Sequence, residues 1–533
     1  MTILPIARKH LAAAMLAGLA LRMFIVLQFP FHAGDTRFYE ELARNWLDHG
    51  VYGLLLQGQL APVDMRMPGY PAFLAAVYTL LGPARLAVMT VQAVVDLMTC
   101  LLTALLAARL APASKRTLVA TVALWTAALC PFTANYSAAV LTEVLATFLT
   151  TLSLLVFVCI LADPSLNLPP HSLDGRTLLS RAGWCLLGGS LVGVGTLVRP
   201  ETPLLLLAAG LVFAVRWRHR ADWSKLALAV SWMAVGLLLP LTPWAARNAV
   251  TLGRVEFLAP RYAETSGDYV PRGFHAWTQT WMVRFRDAYL APWKLKKEPI
   301  PIETLPGSAF DSDEERARVA ALVNHYNSDL KMTPTLDHQF MILAGERTAR
   351  WPLRTFVFIP LARAWMIWFT PRIELLPYSG DLWPPGEKWQ SNRMDFGVTL
   401  GFGFLGFVYA GLAFMGVVRC RTQFGVVLLM TFLVVRTAFL TQLQTVEPRY
   451  VIVCFPAVLA LGALAWARTP RAVEHATVPM TRSSPVRAEW LKETGGNRDT
   501  CPTALAMSTH CPLELRDSGC DSSPVPGRLG HAK

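Results

Sequence analysis

Long apolar runs recur along this chain, and short clusters of lysine and arginine sit between them. A helix needs about 20 apolar residues to cross the hydrocarbon core of a bilayer. A chain with many such runs has little choice but a membrane-embedded bundle. Composition points the same way: of 533 residues, 53% are hydrophobic and only 16% charged, where a soluble domain carries about 25% charged residues. A water-soluble enzyme is therefore unexpected. Disorder is excluded for most of the chain because it requires low hydrophobicity.

The formal charge of +13 raises the question of nucleic acid, and the placement of the basic residues answers it. Arg8 and Lys9; Arg109, Lys115 and Arg116; Arg216, Arg218, Arg220 and Lys225; Arg419 and Arg421; and Arg468 and Arg471 all lie between or beside apolar runs. That is the positive-inside pattern of cytoplasmic loops, not the basic stripe of a nucleic-acid binder. The nine cysteines show no metal-ligand spacing. None falls in the two large polar loops, which are expected to hold together without disulfides.

The first run, residues 11–31, follows Arg8, Lys9 and His10. It is too long for the apolar core of a cleaved signal peptide and reads as a retained signal anchor with a cytoplasmic N-terminus. Arg22 interrupts it and is expected to face protein rather than lipid. Further spans are expected at 84–108, 117–130, 138–161, 183–198, 203–215, 226–241, 397–418, 424–443 and 451–467. Residues 68–81 form a short stretch stopped by Gly82-Pro83. Residues 355–369, with Arg363, Trp365 and Trp368, look like an interface helix. Leaving both as non-spanning gives about ten crossings, puts every basic cluster inside and ends the chain inside.

The organisation is then a first span (1–31), an outer loop with interface helices (32–83), central spans (84–249), a second outer region (250–396), C-terminal spans (397–467) and a polar, disordered tail (468–533). In the first outer loop Phe38, Leu42 and Trp46 recur at helical spacing, and Gly50 is a natural stop. The second region has helix-like stretches at 312–330 and 337–349 but is too interrupted to be an obvious independent catalytic domain.

Ionisable residues gather where spans meet the outer face. Asp35 follows the first span and Glu143 begins the fourth. Arg199 and Glu201 flank a proline between the fifth and sixth, Arg247 and Asn248 close the seventh, and Glu447, Arg449 and Tyr450 open the last. Charges at membrane depth are costly and by default mark a site. Carboxylates there can serve a base or a divalent metal, and arginines can fork onto phosphate oxygens. Structural roles stand beside these: Asp35 could cap the loop helix, Arg66 and Arg247 could snorkel, and Glu143 and Glu201 could pair with Arg199. Their common sidedness is what points to a site.

The chain resembles the GT-C superfamily of polyprenyl-phosphate-sugar-dependent glycosyltransferases. It is most similar to bacterial relatives of the dolichyl-phosphate-mannose–protein mannosyltransferases and of the lipid A aminoarabinose transferase. The resemblance is carried by Gly34-Asp35 with Tyr39, the RMPGYPAFLA run from Arg66 through Tyr70, Thr142-Glu143, VRPE ending at Glu201, PWAARN ending at Asn248, and EPRY ending at Tyr450. These motifs occur in order over residues 8–467. The resemblance implies a bundle of about 10–12 transmembrane helices, with interface helices in the first outer loop and a larger second one. It also implies an essential acidic residue at Asp35, acting as general base in an inverting transfer, and lipid-phosphate or sugar contacts near Arg66, Tyr70, Glu143, Arg199, Glu201, Arg247, Asn248, Arg449 and Tyr450. The protein mannosyltransferases usually pair Asp with Glu where this chain has Asp35-Thr36, which argues against protein mannosylation as such.

On this reading a polyprenyl-phosphate sugar is the donor, and a lipid, glycan or protein supplies the acceptor hydroxyl or amine. The setting implied is the outer face of a bacterial inner membrane. No nucleotide-binding glycine loop is evident, and a divalent metal near Asp35 would lack a ligand-spacing signature. The rival reading is a transporter or flippase for a lipid-linked sugar or another anionic solute. Such proteins place broken helices at the midplane and often show repeat symmetry; neither is clear here.

Overall fold

The computed structural model describes residues 5–163, 175–218, 223–260 and 269–467, with backbone only for 175–178. The tail expected to be disordered lies outside the described residues. In chain order the helices are α1 (Arg8–Gln28), α2 (Gly34–His49), α3 (Gly69–Leu81), α4 (Arg85–Leu110), α5 (Arg116–Ala128), α6 (Pro131–Asn135), α7 (Glu143–Ala162), α8 (Gly175–Val198), α9 (Leu204–Arg216) and α10 (Trp223–Leu252). There follow α11 (Arg272–Gln279), α12 (Asp287–Leu290), α13 (Asp313–Asp329), α14 (Pro334–Arg350), α15 (Ile359–Phe369), α16 (Pro385–Ser391), α17 (Arg393–Cys420), α18 (Phe424–Leu440) and α19 (Phe455–Ala463). The last is extended by tighter turns into a continuous Pro448–Trp466 segment. One hairpin, β1 (Gly53–Leu56) with β2 (Gln59–Pro62), interrupts the helical order.

Seven of these segments are long and apolar enough to cross a membrane: α1, α4, α7, α8, α10, α17 and Pro448–Trp466. An eighth is formed by α5 with the segment to Ala138, bent by 41°. Helices α9 and α18 are shorter, at 13 and 17 residues. Each expected span therefore coincides with a helix, and the protein is an all-α polytopic membrane protein. The main departure is α10. Instead of stopping at Leu241, it runs through Pro240 and Pro243 to Leu252. Helices α3 and α15, with 13 and 11 residues, fall short of the about 20 that a perpendicular crossing needs.

Between helices in lipid, close backbone approach replaces the hydrophobic drive available in water, and small residues permit it. The α8–α10 pair shows this. A Cβ on Gly189 would strike the Met233 carbonyl, and one on Gly236 would strike the Leu186 carbonyl. Arg22 of α1 is fully buried, as expected of a mid-span arginine. Its guanidinium bonds to Asp96 of α4 and donates to the carbonyls of Gly18 and Ala128 at 2.9 and 2.8 Å. One charge thereby ties three helices together.

Contacts also show which groups share an end of the bundle. At one end of the bundle the Arg216 guanidinium lies 5.0 Å from the Phe424 ring centre, and Gly425 packs against Leu110 and Val158. This end carries the basic turns around 109–116, 216–218 and 419–421. At the other end Phe31 N–H donates to the Ala138 carbonyl, and the acidic and basic groups expected at a site gather there.

The stretch from Phe274 to Ala344 builds a core of its own. Phe274, Trp277 and Met282 pack against Val319, Val323 and Tyr326 of α13 and against Phe340 and Leu343 of α14. Ser312 and Thr333 cap these two helices through the amides of Glu315 and Leu336. Helix α15 follows. Phe358, Leu361 and Trp365 are exposed, while buried Arg363 donates to the carbonyls of Met282, Thr441 and Leu443 at 2.8, 2.9 and 3.3 Å. Arg363 thus pins this region to the turn that follows α18.

Candidate active site

The site is assembled from four chain segments that end at the same level. The first is the start of α2. The chain leaves α1 beside the 138–142 stretch, and Thr36 Oγ1 donates to the Val140 carbonyl at 3.1 Å. This anchors Asp35 next to Glu143, the first residue of α7. Asp35 occupies the second position of α2; the cap is Ala33, with no side-chain hydrogen bond. The capping role considered for Asp35 is therefore not the one it takes. Its carboxylate instead accepts from Arg66 Nη2 at 3.0 Å and from Arg449 Nη2 at 2.9 Å. The positive end of the α2 dipole favours the anion at this position.

The expected apolar stripe of α2 is also rotated. The buried residues are Thr36, Glu40, Leu42 and Ala43, whereas Phe38 and Trp46 stand half-exposed. Periodicity alone missed this because Glu40 is neutralised by both oxygens pairing with Arg85, at 2.6 and 2.7 Å, which lets an acid enter the packed face. Gly50 ends the helix in the left-handed conformation, as its position suggests.

The second segment is the hairpin and the run after it. The β1–β2 turn uses Gln57 and Gly58 at φ 51° and 81°, the mirror-image turn that matches strand twist. Tyr52 then donates from its hydroxyl to the Arg66 carbonyl at 2.9 Å, fixing Arg66 below Phe38. Gly69 permits α3 to start against the end of α8; a Cβ there would lie 2.6 Å from the Leu197 carbonyl.

The third segment is the α8–α9 turn. Arg199 Nε donates to Glu201 at 2.6 Å and Nη1 to Glu143 at 3.1 Å, while its guanidinium stacks 5.0 Å from the Tyr450 ring centre. The fourth is the entry to Pro448–Trp466. There Arg449 pairs with Glu447 at 2.5 Å and Tyr450 donates to Glu447 at 2.7 Å. Arg436 of α18, buried mid-helix, completes the cluster by bonding to Glu201 at 3.1 Å. It was not anticipated, although an arginine inside an apolar run is itself a signal of buried pairing.

These segments enclose a cavity of about 810 Å³. Asp35, Tyr39, Arg66, Glu143, Arg199, Glu201, Arg449 and Tyr450 form its charged wall. Met65, Val198, Leu204, Leu258, Phe439 and Leu443 contribute to an apolar one. Seven of the ten expected site residues are thus brought together. Three are not. Tyr70 lies behind the wall, its ring 5.1 Å from that of Tyr39 and its hydroxyl bonded to Gln92 at 2.7 Å. Arg247 donates to the carbonyls of Val63 and Tyr52 at 2.9 and 2.6 Å, and Asn248 donates to that of Glu256. Because α10 continues to Leu252, both sit on helical turns: Arg247 braces the two ends of the hairpin and Asn248 the turn after α10, and neither lines the cavity.

The electrostatics are set by burial against charge. Burial pushes the Asp35 carboxyl up, but Arg449 and Arg66 outweigh it and hold the group below the usual aspartate range. Glu201 is likewise opposed by burial, yet Arg199 and Arg436 draw it down to about 2. Burial, with the Asp35 charge adding to it, pushes the Tyr39 phenol up to about 12. At neutral pH Asp35 and Glu201 are therefore ionised and the Tyr39 phenol is protonated. One oxygen of Glu143, Oε2, is buried without a hydrogen-bond partner. No group of three or more His, Cys, Asp or Glu among the described residues could hold a metal ion. The two guanidinium groups on Asp35 also oppose a cation there.

The fold and cavity together define a polytopic helical membrane protein with a charged pocket at one end of its spans. No family model and no curated protein matches the sequence. The chain is similar to solved membrane-enzyme structures. One is the archaeal oligosaccharyltransferase AglB from Archaeoglobus fulgidus in complex with an inhibitory peptide and a dolichol-phosphate: TM-score 0.46, 13% identity, covering 85% of this chain and 49% of that one. Another is ArnT from Cupriavidus metallidurans bound to undecaprenyl phosphate: TM-score 0.36, 14% identity, covering 86% of this chain and 78% of that one. The chain spans about half the length of the oligosaccharyltransferase.

Proposed function

We propose that the protein is an integral-membrane glycosyltransferase that moves a sugar from a polyprenyl-phosphate donor to an acceptor hydroxyl or amine, with inversion at the anomeric carbon. The observation that carries this reading is a carboxylate, Asp35, set between two guanidinium groups in a cavity whose other wall is apolar. A sugar on a long polyprenyl phosphate cannot leave the bilayer. Its transferase must therefore offer an interfacial pocket with cations for the phosphate and an apolar side for the chain, and this cavity has both.

The chemistry follows from the groups present. Asp35 accepts the acceptor proton as the acceptor oxygen or nitrogen bonds to the anomeric carbon. The bond from that carbon to the phosphate oxygen breaks, and the lipid phosphate leaves with the electron pair. Arg66, Arg199 and Arg449 stabilise the charge that develops on it, the electrostatic contribution that usually dominates such steps. The attack comes from the side opposite the leaving group, so configuration inverts. Tyr39, protonated at neutral pH, acts as a donor, and the unpartnered Glu143 Oε2 can accept from a sugar hydroxyl. The acceptor is a lipid, glycan or protein, and the setting is the outer face of a bacterial inner membrane.

The test is transfer by the purified protein from radiolabelled polyprenyl-phosphate sugars into membrane extract, comparing wild type with Asp35→Asn. Loss of a general base lowers turnover by about 10²–10⁴-fold, and undiminished turnover removes Asp35 from that role. Solute movement in liposomes without covalent transfer would instead establish a transporter.

A further inference from the structure

The charged wall is already neutral within itself. Asp35, Glu143, Glu201 and neighbouring Glu447 face Arg66, Arg199, Arg436 and Arg449. Each guanidinium has a carboxylate oxygen within reach: Arg66 to Asp35 at 3.0 Å, Arg199 to Glu201 at 2.6 Å, Arg436 to Glu201 at 3.1 Å, and Arg449 to Asp35 at 2.9 Å and Glu447 at 2.5 Å. An incoming phosphate must therefore compete with a carboxylate for each guanidinium it engages. Which carboxylate yields is decided by exposure and by what each partner keeps. The side chains of Glu143, Glu201 and Glu447 are 1%, 10% and 9% exposed, whereas that of Asp35 is 26% exposed. A buried carboxylate stripped of its partner pays a large desolvation penalty, and a partly hydrated one pays far less. Arg449 keeps Glu447 when it lets Asp35 go.

Resting on the glycosyltransferase reading, we propose that Asp35 is a stand-in anion: the donor phosphate displaces it from Arg66 and Arg449, and that exchange is what releases the carboxylate to act as base. While both its oxygens are clamped, Asp35 is a poor proton acceptor. Once the phosphate holds the two guanidiniums, its lone pairs face the acceptor. The same residue is therefore needed for turnover and works against donor binding. The order of events is donor first, base second.

The distinguishing experiment measures binding rather than transfer. Undecaprenyl phosphate is titrated into the full chain in lipid nanodiscs for wild type, Asp35→Asn, Asp35→Ala and Arg66→Met. Removing the competing charge should tighten binding by about tenfold in both Asp35 variants, and Arg66→Met should weaken it. If wild type binds and the Asp35 variants bind equally or more weakly, the exchange is wrong while the glycosyltransferase reading stands. If neither wild type nor the Asp35 variants bind, the glycosyltransferase reading itself fails. A wild-type complex with the same lipid, resolved by electron cryomicroscopy, gives an answer that does not depend on the variants folding. The phosphate should sit on Arg66 and Arg449 with Asp35 beyond hydrogen-bond reach of both. A bound phosphate with Asp35 still clamped overturns the proposal.

Discussion

Arg22 and Asp96, 74 residues apart, form an ion pair between α1 and α4 whose side chains are 0% and 3% exposed. Breaking one member of such a pair leaves an uncompensated buried charge, at a cost of about 3–5 kcal/mol. Arg22→Met is therefore expected to lower the unfolding temperature in detergent sharply. The double variant Arg22→Met, Asp96→Leu should recover most of the loss. Equal damage in the single and double variants would show that packing, not charge, sets the cost.

Acid should weaken the site through Glu201. Its folded pKa, about 2, lies below the about 4.3 of an unfolded glutamate. The folded state thus binds fewer protons, and the stabilisation is fully present above the unfolded value. It is lost as pH falls from about 4.5 towards 2, by roughly 1–3 kcal/mol in all. Chemical denaturation of wild type and Glu201→Gln across that range checks the sign: the glutamine variant should show the shallower decline.

Arg363 is expected to act at a distance. Replacing it by methionine leaves the carbonyls of Met282, Thr441 and Leu443 without their donor, a loss of roughly 2–4 kcal/mol. Hydrogen exchange followed by mass spectrometry should show faster exchange in the 441–447 turn, which contributes Gln442 and Leu443 to the cavity wall. Exchange in α4 should be unchanged.

The α8–α10 crossing tolerates no side chain at Gly189, because any Cβ meets the Met233 carbonyl backbone. Gly189→Leu should separate the two helices and displace Arg199 at the end of the α8 segment. The expected result is reduced yield of folded protein, with a second-site change at Met233 unable to rescue it because the clash is with main chain.

Much of this arrangement was legible in the sequence. Among the described residues, apolar length located the seven helices long enough to cross a membrane, and the basic clusters at 109–116, 216–218 and 419–421 marked one end of them, because both reflect the cost of exposing backbone or charge to lipid. Asp35, Glu143, Arg199, Glu201 and Arg449 were legible because each adjoins a span end. What adjacency could not say was which way a side chain faces. Arg247 and Asn248 also adjoin a span, but α10 passes through two prolines, and the two residues bond to the hairpin ends and to the turn after α10 instead of the cavity. Arg436 was hidden for the opposite reason: its partner Glu201 is 235 residues away, and only the fold brings them together. The burial of Glu40 was hidden by the same kind of long-range partner, Arg85.

The cancellation of charge around the cavity has a kinetic meaning. Four carboxylates and four guanidiniums interleaved within a few ångströms produce almost no far field, and what remains fades within about 8 Å at physiological salt. An anionic lipid would feel no pull from elsewhere in the leaflet and would meet the pocket only by lateral diffusion. Capture should accordingly be nearly indifferent to ionic strength, unlike the steered encounters of proteins that advertise a surplus of one sign.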